Sequence, residues 1–169
     1  EMPDKLKANK KYSIVACGVN TELFQPMPMS DARKQLNFMP DQKLALFASG
    51  FDVPVKNAAL AQKICRSING LQLIELKNRT RTEVNLLLNA CNVLLLTSHR
   101  EGSPQIIKEA LATNCPVVST NVGDVGMRLQ AINNTYICEA TESALTEKLK
   151  LALKDTNRTK GRARVFEHK

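Results

Sequence analysis

The stretch "NVLLLTSHREGSPQIIKEALATNCPVVST", Asn92 to Thr120, decides the fold. It opens on a short apolar run, Asn92–Thr97, that is continuous and not alternating, as in a strand buried on both faces. A polar break containing Gly102, Ser103 and Pro104 follows. Ser103–Thr113 then reads as a helix, with Ser103 as its N-cap and Pro104 as its first helical residue. Ile106, Ile107, Ala110 and Leu111 give that helix one apolar face. A second apolar run, Pro116–Thr120, reads as the next strand.

The same alternation extends in both directions. Tyr12–Ala16, Lys43–Ala48, Leu71–Leu76 and Thr135–Cys138 read as further strands. Asn57–Ile68, Thr80–Ala90, Val125–Ala131 and Thr141–Leu153 read as helices, and Thr80 with Glu83 forms a capping box. Strand and helix in repeated alternation predict an α/β fold: a Rossmann-like parallel sheet of about five to six strands with helices on both faces. Residues 1–11 read as a flexible end, 12–155 as one Rossmann-like domain, and 156–169 as a frayed basic end in which a further helix starts.

The 169 residues suit one domain with a sizeable core. The net charge is +8, which raises nucleic acid as a partner. Residues 1–11 carry +2 and residues 154–169 carry +4, leaving +2 for everything between. With two Tyr and no Trp, a base-stacking surface is poorly supported, and no specific nucleic acid is expected. Five scattered cysteines without a CxxC pair read as buried thiols in a reducing compartment, with no metal-ligand spacing.

Ligands of such sheets bind beyond the carboxyl ends of the strands. The loop His99–Pro104 lies at such an end. Gly102 permits close approach to the backbone, and the first N–H groups of the following helix, those of Ser103, Gln105, Ile106 and Ile107, favour an anion such as a diphosphate. Glu109, roughly 7–8 Å along the helix from Pro104, would face ribose hydroxyls, which an ionised carboxylate accepts well. Glu101 would face the opposite end of the same ligand. A helical glutamate is also commonly a solvated surface residue, so the local chemistry leaves both readings open.

The ordered set of motifs settles more. "EGSPQIIKEA" resembles the Glu-x7-Glu element of the retaining GT-B glycosyltransferases (glycosyltransferase family 4, glycosyl transferases group 1 type). "GVNTELFQP", "RTEVNLLLNACNVLLLTS" and "EALATNCPVVSTNVGDV" resemble further segments of the C-terminal domain of that family, in the same order. The resemblance implies the nucleotide-sugar-binding half of a larger hexosyltransferase, inactive alone. It implies Glu101 and Lys56 as catalytic residues, Lys56 neutralising the diphosphate leaving group. Glu109, Gly102, Ser103, Pro104, Gln105 and Arg79 become substrate-binding residues. It further implies a UDP- or GDP-sugar donor, no metal or cofactor, an N-terminal GT-B domain as partner, a glycan or lipid-linked glycan acceptor, and a cytoplasmic location, peripheral at the membrane. A UDP-sugar 2-epimerase of GT-B fold and a non-catalytic interaction domain are the alternatives. Three departures stand out. Gly50 and Phe51 occupy positions where the family has an arginine, leaving Arg79, Arg81 or Arg100 as substitutes. One strand-helix unit is missing. Asp124 and Met127 replace a glycine and a glutamate.

Overall fold

The computed structural model describes residues 17–166. Five strands form one parallel sheet: β1 (Lys43–Phe47), β2 (Leu71–Glu75), β3 (Val93–Leu96), β4 (Val117–Thr120) and β5 (Thr135–Cys138), in the order β2-β1-β3-β4-β5. The strand expected at Tyr12–Ala16 and the end at 1–11 lie outside the described residues. Between and around the strands run α1 (Met29–Gln35), α2 (Ala58–Arg66), α3 (Arg81–Ala90), α4 (Gln105–Ala112), α5 (Val125–Leu129), α6 (Glu142–Lys154) and α7 (Gly161–Phe166).

Each strand feeds two cores, because successive side chains point to opposite faces. Leu44, Leu46, Leu94 and Leu96 pack with Leu87, Leu88, Ile107, Ala110 and Leu111 under α3 and α4. Ala45, Phe47, Val93 and Leu95 pack with Ala61, Ile64, Leu145 and Leu149 under α2 and α6. Every residue of β3 and β4 is buried, which is why both runs are continuous and not alternating. Each fully buried Leu, Ile or Phe stabilises the fold by about 1.5–3 kcal/mol, so the central strands anchor the loops that follow them.

Two helices, α3 and α6, begin on a side-chain cap. The Thr80 hydroxyl accepts the Glu83 N–H, and Glu83 returns to the Thr80 N–H, completing the capping box. The Thr141 hydroxyl caps α6 by accepting the Ala144 N–H, without a reciprocal bond. Ser103 does not cap α4. Pro104 occupies the N-cap, and the Ser103 hydroxyl instead donates to Asp124 Oδ2 at 2.7 Å. The helix therefore starts one residue later than expected, because a carboxylate from another loop outcompetes the local backbone.

In the C-terminal segment the described residues, up to 166, are anchored to the domain. Arg158 donates to the carbonyls of Leu88, Cys91 and Thr113, and Arg162 to those of Thr21, Phe24 and Ala112. Arg33, itself buried, donates to the carbonyls of Ala90, Pro40 and Gln42. These guanidinium groups satisfy carbonyls around the C-terminal ends of α3 and α4, where positive charge also opposes the helix dipole. Part of the basic charge is thus internal scaffolding. Cys65, Cys91 and Cys115 are buried, and burial pushes the Cys65 thiol up to about 12; Cys17 is exposed. No helix among the described residues is long and apolar enough to cross a membrane.

Candidate functional site

In a parallel sheet of this order, the crevice lies where the chain turns outward in both directions, between β1 and β3. The loops leaving those two strands bring Lys56 and Glu101 together. Pro54–Lys56 forms a single 3-10 turn after β1, and the Thr97 hydroxyl at the end of β3 donates to the Lys56 carbonyl at 2.9 Å. Lys56 Nζ lies 2.6 Å from Glu101 Oε1, and the Ser98 hydroxyl donates to the same oxygen at 2.7 Å. The Glu101 side chain is only 11 % exposed, so its charge is compensated by one cation and one hydroxyl. An arriving anion could draw Lys56 away from it.

The start of α4 lies beside this pair. The Ile107 N–H, expected to be available, donates to the Pro104 carbonyl. Those of Ser103, Gln105 and Ile106 carry no hydrogen bond among the described residues. The Gln105 side chain donates to the Gly18 carbonyl at 2.8 Å.

Glu109 sits about 6 Å further along the axis, counted from Gln105. It is 2 % exposed, which excludes the solvated reading. Arg81 Nη2 lies 2.7 Å from Glu109 Oε1, yet no well-directed donor among the described residues satisfies that oxygen. Burial, the larger influence, pushes the Glu109 carboxyl above the usual carboxylate range, and Arg81 opposes the shift. Arg81 also stacks over the Phe24 ring at 4.8 Å. Arg79 is not brought to the others: its guanidinium pairs with Glu83 at 3.4 Å on the surface of α3.

Two contributors carry no signal in the sequence motifs. Asp124 and Arg128, from the turn after β4 and from α5, pair at 2.6 Å and reach Ser103. Arg81 was considered only as a phosphate cation, not as the partner of Glu109. Asp124 and Arg128 are only four residues apart, but their contacts with Ser103, and that of Arg81 with Glu109, span 21 or more residues, and no local spacing marks them.

The fold and this loop arrangement define one Rossmann-like half of a GT-B fold. The family model of the glycosyl transferases group 1 matches residues 69–165, more than half of the chain, and the chain belongs to that family. Sucrose-phosphate synthase from Thermosynechococcus elongatus is similar at a TM-score of 0.76 and 20 % identity, over 89 % of this chain and 47 % of that one. WaaG, a glycosyltransferase involved in lipopolysaccharide biosynthesis, gives 0.67 and 15 %, over 89 % and 49 %. HepE of Anabaena, solved with UDP and glucose, gives 0.67 and 18 %, again over 89 % and 49 %. The chain thus spans about half the length of these structures. Curated protein sequences give no match.

Proposed function

We propose that this chain is the donor-binding part of a retaining glycosyltransferase, and that it takes a nucleoside diphosphate sugar, of the UDP or GDP type, into the β1/β3 crevice. The observation that carries this reading is Glu109: a buried carboxylate, one helix turn behind an anion-ready helix start, paired at 2.7 Å with the half-exposed guanidinium of Arg81. Ribose hydroxyls are donors of the right kind, and the carboxylate supplies only acceptors. The diphosphate would then lie on the N–H groups of Ser103, Gln105 and Ile106, beside Gly102 and Pro104.

Lys56 and Glu101 act in exchange. The diphosphate draws Lys56 off Glu101, and Glu101 becomes available to the hydroxyls of the donor sugar. As the bond from the sugar to the phosphate breaks, negative charge grows on the departing oxygen, and a fixed cation there lowers the barrier. The UDP and glucose held by HepE support the donor class. In this reading the acceptor hydroxyl, from a glycan or lipid-linked glycan, and the second GT-B domain come from a larger protein in the cytoplasm at a membrane surface. The chain alone binds and does not transfer.

Titration with UDP, GDP and ADP, followed through backbone amide shifts, tests the reading. Shifts should concentrate between Ser103 and Glu109. Their absence at millimolar nucleotide would sink it.

A further inference from the structure

The loop Glu101–Ser103 carries one cation on each flank. Lys56 holds Glu101 from the β1 side at 2.6 Å. On the β4 side Arg128 Nε lies 2.6 Å from Asp124 Oδ2, and that oxygen also accepts the Ser103 hydroxyl at 2.7 Å. Arg128 Nη2 comes within 3.5 Å of Ser103 Oγ. The Asp124 N–H donates to the Gly102 carbonyl at 3.1 Å. Gly123 has φ +56°, and a Cβ there would lie 2.1 Å from the Gly102 oxygen. The turn after β4 is therefore seated directly on the backbone of the loop after β3. Asp124 Oδ1 is shielded and has no donor among the described residues, so Arg128 is the group that compensates the Asp124 charge.

We propose that Arg128 is a positioning residue for the diphosphate of the donor: acting through Asp124, it fixes the backbone of Gly102 and Ser103. The inference rests on the donor-binding reading above. Its physical basis is preorganisation. Backbone N–H groups bind an anion well only if their peptide planes are already set, since ordering them on binding consumes affinity. Asp124 holds the Gly102 carbonyl through its N–H and the Ser103 hydroxyl through its carboxylate. Without Arg128, the carboxylate would be poorly compensated and would turn toward water. Ser103 would then be released, and the loop with it. Among the described residues no hydrogen bond or ion pair joins the Asp124–Arg128 pair to Glu109, so the ribose end of the site should not sense its loss.

The test uses Arg128→Met, Asp124→Asn and the double variant, titrated with UDP, GDP, ADP and their parent nucleosides, alongside thermal melts. For whichever diphosphate the unmodified chain binds, each single change should weaken binding about tenfold. The double variant should be no weaker than either, because both changes break one unit. Nucleoside affinity should move less than twofold. Should Arg128→Met fail to fold, Ser103→Ala removes the same connection with little structural cost and should weaken diphosphate binding severalfold. Unchanged diphosphate affinity in Arg128→Met, or in Ser103→Ala where that variant stands in, overturns the inference. So does a parallel loss of nucleoside binding, which marks general damage. Retained binding in Asp124→Asn with loss in Arg128→Met also overturns it, since Arg128 would then touch the phosphate itself. An unmodified chain that binds none of these ligands overturns the donor reading and this inference together.

Discussion

Glu109→Gln should weaken nucleotide binding without weakening the fold. The carboxylate is 2 % exposed while its partner Arg81 is 56 % exposed. Burial raises the Glu109 pKa in the folded chain, so ionised Glu109 opposes folding. The sign follows directly. With the folded pKa above the unfolded one, stability falls as pH rises from the unfolded carboxylate range through the folded value, and stays reduced above it. Glutamine removes that cost and returns a largely solvated Arg81 to water, where the lost pair is worth little. The melting temperature should therefore stay level or rise by about 2–4 °C. Binding moves the other way. In the proposed complex the carboxylate would accept both ribose hydroxyls, while glutamine offers one acceptor oxygen and one mismatched donor group. Loss of one charge-assisted hydrogen bond costs about 1.5–3 kcal/mol, or roughly 10–150-fold in affinity. Isothermal titration and thermal melts on both forms read the two effects. Across the pH window above the ordinary carboxylate range, the wild-type to variant affinity ratio should climb as Glu109 ionises, and ionisation of the ligand phosphates cancels from that ratio. A melting temperature lowered by more than about 4 °C, with affinity unchanged, would refute the reasoning and make the pair with Arg81 structural.

Lys56→Met should lower nucleoside diphosphate affinity about tenfold and leave nucleoside affinity intact, since Thr97 still holds the backbone of residue 56; calorimetry with both ligands checks this. Gly123→Ala forces a side chain onto the Gly102 carbonyl at a left-handed φ. It should cost about 1–3 kcal/mol in urea unfolding and lose diphosphate binding as the loop shifts. Arg162→Met leaves the carbonyls of Thr21, Phe24 and Ala112 without their donor. Urea unfolding should register a loss of about 2–4 kcal/mol, with nucleotide binding by the surviving folded fraction unchanged.

The sheet was legible because its strands are short unbroken apolar runs and its longer helices carry an apolar period or an explicit cap. The run "VVST" could be read as buried on both faces without knowing its neighbours. By contrast, α1 offers a single fully buried apolar residue, Ala32, beside the buried Arg33, and no period marks it. The helix α7, in "GRARVF", looks like a charged tail until its arginines are seen to reach backbone carbonyls. At the site, spacing placed Glu109 about one turn into the helix and the helix start to within one residue, but left the burial of Glu109 open. The partners that define their chemistry were not visible: Arg81 for Glu109, Asp124 for Ser103, Glu101 for Lys56. Each comes from a different loop at the same sheet edge, and only the strand order brings those loops together.

Arg162 joins Thr21 and Phe24 across 141 and 138 residues of chain. Contacts so distant in sequence carry a large closure entropy, and they form late unless the sheet between them is already in place. During synthesis the segment from Thr21 to Phe24 must wait for nearly the whole unit to emerge before its carbonyls find their donor. Until then, Phe24, one of the largest fully buried side chains, lacks the clasp that holds its backbone. A nascent chain interrupted before residue 162 would thus present this aromatic segment to chaperones, and its completion would be the event that withdraws it.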